Sequence, residues 1–225
     1  MTPTKRKAPK PMKIVIVDDH PMVRERLAEL INRESDLTVC GEAEDRRDAL
    51  ALIANAEPDL AVIDLTLKDS HGLDLLKDIR AQYPEVLTIV VSMHDESLYA
   101  ERVMRAGANG YITKQQATHN ILDAIRHVLA GQLYVSPLVT AQIIGKVTGR
   151  ARVLPGTEEE CLTDRELQVY EALGHGHSTR QIAELLRLEI KTIETYRARI
   201  KEKFDLRDGA ALLQRATRWV ESKRL

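Results

Sequence analysis

Short apolar runs recur through the first half of the chain, at Lys13 to Val17, Leu37 to Gly41, Leu60 to Asp64, Leu87 to Val91 and Gly110 to Ile112. Between them apolar residues return at helical spacing, as in Val23, Leu27, Leu30 and Ile31, or Ile121, Leu122, Ile125, Val128 and Leu129. A half-exposed strand would alternate apolar with polar residues, and these runs do not. Strands buried on both faces and alternating with helices predict an open α/β sheet of five parallel strands covered by helices on both sides.

The pattern changes after Leu133. Leu138 to Val147 has the spacing of a short helix, and VTGRARVLPGTEEE reads as a solvated linker. Thr163-Asp-Arg-Glu166 and Ser178-Thr-Arg-Gln181 then present two capping boxes, each opening a helix. A third helix is expected over about Ile190 to Phe204 and a fourth over about Gly209 to Val220, which makes a small all-α bundle. The connection Leu186 to Glu189 is as short as that of a helix-turn-helix. The expected organisation is a basic disordered tail over 1–11, an α/β domain over 12–131, a linker with a short helix over 132–160, and the helical domain over 161–225.

Charge sharpens this division. Residues 12–135 carry 13 Lys and Arg against 21 Asp and Glu, whereas residues 162–225 carry 13 against 10, so two domains with different partners are expected. No apolar run approaches the roughly 18 residues of a membrane helix, and MTPTKRKAPKP lacks the apolar stretch of a secretory signal. A cytoplasmic protein without membrane contact is the expectation, with Cys40 and Cys161 as reduced thiols.

An open α/β sheet binds ligands at the carboxyl ends of its strands. Here the first strand ends in Asp18 and Asp19, the third in Asp64 and the fourth in Ser92, while the fifth leads to Lys114. Adjacent carboxylates at a buried strand end repel one another and resist desolvation. An oxygen-lined acidic cluster suits Mg²⁺, which would offset that repulsion. With the metal beside it, Asp64 is placed to attack a phosphoryl group, Ser92 and Lys114 engaging the phosphoryl oxygens.

VDDH, IDLTLKDSHGLDLL, VVSMHD and AGANGYITK, in this order and spacing, resemble the receiver domain of bacterial two-component response regulators. The resemblance implies a doubly wound, flavodoxin-like sheet and phosphorylation of Asp64 by a sensor histidine kinase. It also implies Mg²⁺ held by Asp18, Asp19, Asp64 and the Thr66 backbone carbonyl, with Ser92 and Tyr111 relaying the switch. Lys68 and Gln115 stand where many receivers have proline, and Lys68 adds a second cation near the rim.

In the helical domain, winding the third helix puts Ile193, Ile200 and Phe204 on one face and Lys191, Glu194, Thr195, Ala198 and Glu202 on the other, with Thr192 and Arg199 beside them. Arg197, Lys201 and Lys203 add positive charge suited to phosphates. LTDRELQVYEALGHGHSTRQIAELLRLEIKTIETYRARIKEKF resembles the DNA-binding domain of the NarL/LuxR regulators. That resemblance places Lys191, Glu194, Thr195 and Ala198 towards bases and Thr192, Tyr196 and Arg197 towards phosphates. Glu189 replaces the usual serine N-cap and Arg187 a turn glycine.

The combined expectation is a response regulator, not an enzyme, that binds DNA, is switched by phosphorylation of Asp64 and forms a homodimer when phosphorylated. An aspartate-nucleophile phosphotransferase is disfavoured because Thr66 stands where many such phosphatases place an acid/base aspartate. A receiver acting by protein contact alone is disfavoured by retention of the acid pair and the lysine. His175-Gly-His177 makes no complete metal site.

Overall fold

The computed structural model describes residues 10–68, 70–94, 96–148 and 158–222. Nearly all of the expected basic tail and the middle of the expected linker lie outside the described residues. The fold divides between two units, 1–144 and 145–225.

The first unit alternates β1 (Met12–Val17), α1 (Pro21–Asn32), β2 (Leu37–Ala43), α2 (Arg46–Ala56) and β3 (Leu60–Ile63). A small hairpin, β4 (Thr66–Leu67) and β5 (Ser70–His71), precedes α3 (Gly72–Gln82). There follow β6 (Leu87–Ser92), α4 (Glu96–Arg105), β7 (Gly110–Thr113), α5 (Lys114–Leu129) and α6 (Pro137–Val147). Five strands form a parallel sheet in the order β2-β1-β3-β6-β7. The order reverses at β1, so a crevice opens at the carboxyl ends of β1 and β3.

The sheet is buried on both faces, which is why its strands read as continuous apolar runs. Ile14, Ile16, Val62, Ile89, Val91 and Ile112 pack in one cluster with Leu27 and Ile31 of α1 and Ile121, Ala124, Ile125 and Val128 of α5. The alternate residues Val15, Val17, Ala61, Ile63 and Val90 are equally buried, pointing to the opposite face by the period of two. The hairpin was not expected: its two-residue strands are too short to carry any periodicity. A second difference concerns the start of the expected linker, where Tyr134 bridges in parallel to Gly110 on the outer edge of β7.

The second unit has a 3₁₀ turn at Glu158–Cys161 followed by α7 (Asp164–Gly174), α8 (Thr179–Leu186), α9 (Ile190–Lys203) and α10 (Gly209–Ser222). Both expected capping boxes form, at Thr163 with Glu166 and at Ser178 with Gln181. The Tyr170 ring lies 5.2 Å from those of Phe204 and Trp219 and joins α7 to the end of α9 and to α10. Gly174 permits the close approach of α7 to α10, because a Cβ there would fall 2.5 Å from the Ala216 carbonyl oxygen.

The turn between α8 and α9 carries the consequences of the two unusual residues. Arg187 adopts the left-handed region with φ 52°, where a side chain is disfavoured. Glu189 occupies the N-cap of α9 without a side-chain capping bond. Arg187→Gly and Glu189→Ser are each expected to stabilise the helical unit by about 1 kcal/mol. Urea unfolding checks this, and unchanged midpoints would mean that neither residue strains the turn.

Candidate functional site

The end of β1 delivers Asp18 and Asp19 into the crevice, the end of β3 delivers Asp64, and the first residue of α5 delivers Lys114. Asp18, Asp19 and Asp64 are 2, 7 and 4% exposed, so all three carboxyls are held out of bulk water. The Lys114 ammonium lies 2.6 Å from Asp18 Oδ2 and 2.8 Å from Asp64 Oδ2 and bridges the two strands. His20 Nδ1 lies 2.6 Å from Asp19 Oδ1 and 3.1 Å from Asp18 Oδ1. Its backbone N–H donates to Asp18 Oδ1 at 2.8 Å. Arg24 fixes the turn from the other side by donating to the Asp18 carbonyl oxygen at 2.6 Å.

Lys114 alone does not relieve the pocket. Burial, followed by the nearby Asp18 charge, pushes the Asp64 carboxyl up to about 6, although Lys114 and the Thr66 N–H oppose the rise. Burial works against the charge on Lys114, but Asp64 and Asp18 outweigh it and hold the ammonium protonated above its ordinary range. One atom each from Asp18, Asp19, His20 and Asp64 lie within 4.8 Å of one another, a donor set that could hold a metal ion. Oxygen donors dominate it, which suits a hard divalent cation.

Ser92 is fully buried at the end of β6, and its hydroxyl accepts from the His94 N–H at 3.2 Å. Tyr111 is also buried, with its hydroxyl donating to the His94 carbonyl oxygen at 2.8 Å. Thr66 begins the hairpin and presents its backbone N–H to Asp64. The Lys68 ammonium pairs with Glu44 on the side of α2, so the expected second cation at the rim is engaged outside the acid cluster.

Gly72 escaped the sequence reading. A Cβ at Gly72 would fall 2.1 Å from the Asp64 carbonyl oxygen and 2.8 Å from the Leu65 Cα. Only glycine lets the start of α3 close against the strand end that carries Asp64, and the Gly72 N–H donates to the Leu65 carbonyl oxygen at 2.9 Å. A glycine directly before an apolar helix was the available signal.

In the helical unit Lys191, Glu194, Thr195, Ala198 and Arg199 are exposed along α9, while Thr192, Tyr196 and Arg197 are half-buried beside them. Arg197 donates to the Thr179 hydroxyl at the start of α8. Lys203, grouped in the sequence reading with phosphate-directed charge, instead donates to Glu166 Oε2 at 2.6 Å and the Cys161 carbonyl oxygen at 2.9 Å. Burial would raise the Glu166 carboxyl, but Lys203 and the Thr163 cap outweigh it and hold it below its ordinary value. The ammonium therefore fastens the end of α9 to the start of α7.

Comparisons with known proteins divide the chain in the same way. The family model described as "Response regulator receiver domain" matches residues 14–126, and that described as "Bacterial regulatory proteins, luxR family" matches residues 160–216. The response regulator GacA of Pseudomonas aeruginosa is 31% identical over 207 residues, 92% of this chain and 96% of GacA. A LuxR-family two-component response regulator of known structure from Aurantimonas is 34% identical, covering 62% of this chain and 99% of its own, with a TM-score of 0.57. RcsB of Salmonella enterica, solved on promoter rprA with the phosphomimetic BeF3⁻, is 22% identical over 92% of this chain and 99% of its own at a TM-score of 0.60, a likeness of fold.

The raised Asp64 value has a measurable consequence. Its neutral form is favoured by the fold, so the cost of ionisation is absent below the ordinary value of 3.8, grows as pH rises towards about 6, and is constant above. Asp64→Asn should raise the unfolding temperature of the metal-free protein at pH 7, by roughly 4–8 °C if about 2 kcal/mol is relieved. The gain should vanish as pH falls from 6 to 4. Thermal scans check it, and a pH-independent difference would locate the gain elsewhere than in the carboxylate charge.

Proposed function

The chain belongs to the two-component response regulators that join a receiver to a LuxR-type DNA-binding domain and control transcription through phosphorylation, and we propose that Asp64 is its phosphoacceptor. The observation that carries this is a buried Asp64 carboxylate, bridged by Lys114 to a second strand-end acid and destabilised in its charged form. A sensor histidine kinase is the proposed donor. The P–N bond of its phosphohistidine, protonated on the other ring nitrogen, breaks as an ionised Asp64 oxygen bonds to phosphorus, leaving an acyl phosphate and a neutral imidazole.

Mg²⁺ is the proposed cofactor: Asp18, Asp19, Asp64 and the Thr66 carbonyl would hold it, and it would supply charge neutralisation at the phosphoryl oxygens. Lys114 pairs with one of those oxygens, and Ser92 donates its hydroxyl to another. Tyr111 follows as the Ser92 segment is drawn inward. The receiver assignment spans 12–131 and the DNA-binding domain 161–225. The protein is proposed to act in the cytoplasm, to catalyse no reaction on a separate substrate, and to form a homodimer when phosphorylated.

On the output side α9 is the proposed recognition helix, with Lys191, Glu194, Thr195 and Ala198 towards base edges and Thr192, Tyr196, Arg197 and Arg199 towards phosphates. The exposed row of the first four supports this reading. RcsB on its promoter DNA provides a precedent of the same fold.

Incubation with acetyl phosphate and Mg²⁺ should add the mass of one phosphoryl group, and Asp64→Asn should abolish it. Persistent labelling of that variant would assign the phosphate elsewhere. On an operator selected from random DNA, Glu194→Ala should relax discrimination at one base pair by about 1–3 kcal/mol. Arg199→Ala should weaken binding to all sequences and lower the salt slope by about 1. Uniformly tighter binding of every operator variant by Glu194→Ala would reduce its carboxylate to an electrostatic penalty.

A further inference from the structure

Beyond α5 the chain does not leave the first unit directly. The Tyr111 N–H donates to the Tyr134 carbonyl oxygen at 2.8 Å, and the Tyr134 N–H donates to the Asn109 carbonyl oxygen at 3.0 Å. Tyr134 thus adds a one-residue rung to the edge of β7 that faces away from β6. Two residues later, the Ser136 N–H donates to Glu96 Oε1 at the start of α4, at 3.0 Å. Val139, in the first turn of α6, is 1% exposed, so the start of this helix is packed down.

Gly110 is fitted to the rung. A Cβ there would lie 3.2 Å from both the carbonyl oxygen and the Cβ of Tyr134, so a larger residue would press the segment outward. The Tyr134 ring also packs against the core cluster and meets His127 of α5 edge to face, with centroids 5.7 Å apart.

These contacts complete a continuous path from the pocket. Ser92 Oγ accepts from the His94 N–H, the His94 carbonyl accepts from the Tyr111 hydroxyl, and the Tyr111 N–H donates to Tyr134. Each link is an ordinary hydrogen bond that a shift of a few tenths of an ångström weakens. If the Ser92 hydroxyl turns to a phosphoryl oxygen on Asp64, the 92–94 segment follows and the Tyr111 hydroxyl loses its acceptor position.

We infer that Tyr134 to Pro137 is a latch on the receiver edge, closed as in this structure and loosened when a phosphoryl group occupies the pocket. The latch converts the state of Asp64 into freedom of the segment that opens α6 and leads towards the DNA-binding domain. The inference rests on the proposed phosphoacceptor role of Asp64. It goes beyond that role by assigning Tyr134, Ser136, Glu96 and Gly110 as positioning residues of the output connection. Coupling of this kind is reciprocal: whatever loosens the latch tightens binding at the pocket by the same factor.

Amide exchange of the full chain, read by NMR with and without Mg²⁺ and beryllofluoride, tests it. Losing one hydrogen bond of usual net worth corresponds to exchange faster by about fivefold, and this is expected at Tyr134 and Ser136 when beryllofluoride is bound. Gly110→Ala should speed exchange at Tyr134 without beryllofluoride. Should that variant misfold, Glu96→Ala, which removes only the acceptor of the Ser136 N–H, should loosen the same segment. Either folded variant should bind beryllofluoride several-fold more tightly, as followed by the bound fluorine resonance. Bound beryllofluoride with unchanged exchange at Tyr134 and Ser136, or unchanged affinity in a folded variant with a loosened latch, would overturn the latch alone. Failure of beryllofluoride to bind at all would overturn the reading of Asp64 and the latch with it.

Discussion

The burial of three carboxyls at the ends of β1 and β3 is the constraint around which the receiver is arranged. Asp18, Asp19 and Asp64 would each be solvated on a loop, but a parallel sheet covered on both faces brings them together at the point where strand order reverses. Lys114 bridges Asp18 and Asp64 but does not offset their burial, since Asp64 still sits well above the ordinary carboxylate range. The surrounding structure holds this tension in place. Gly72 closes α3 against the Asp64 carbonyl, Arg24 clamps the Asp18 carbonyl, and the capping box of Thr113 with Gln116 fixes the start of the helix that carries Lys114. A divalent cation would offset the charge that these buried acids carry.

The output unit follows a different logic. Its core is aromatic and aliphatic packing around Tyr170, and its charge is divided between fastening and display. Lys203 and Arg197 are engaged with Glu166 and Thr179, which sets the position of α9 within the bundle. Lys191, Glu194, Thr195, Ala198 and Arg199 remain on the exposed face. A count of the positive residues on α9 therefore overstates the charge that the helix leaves without a partner in the bundle.

Much of this was legible in the sequence for identifiable reasons. Strands buried on both sides lose their alternation, so β1, β3 and β6 stood out as apolar runs, and the polar residues that end them marked the site. The capping boxes at Thr163 and Ser178 fixed two helix starts because each joins two side chains at fixed spacing. What escaped depends on partners distant in sequence. The role of Gly72 is set by a carbonyl eight positions earlier in space-filling contact, and Lys68 turns to Glu44, across 24 positions, where no local pattern points. The Tyr134 rung is made by main-chain hydrogen bonds beside Gly110, and neither the bonds nor a lone glycine forms a local pattern.

Burial, followed by the Asp18 charge, raises Asp64 so that it holds a proton at mildly acidic pH, and the proposed Mg²⁺ would displace that proton on binding. Calorimetric titration of Mg²⁺ into the protein, repeated in buffers of different ionisation enthalpy, counts the protons released on binding. With Asp64 at about 6, binding at pH 6 should release about half a proton per metal and binding at pH 8 almost none. Mg²⁺ binding with the same proton count at both pH values, or no binding heat at either, would contradict the account.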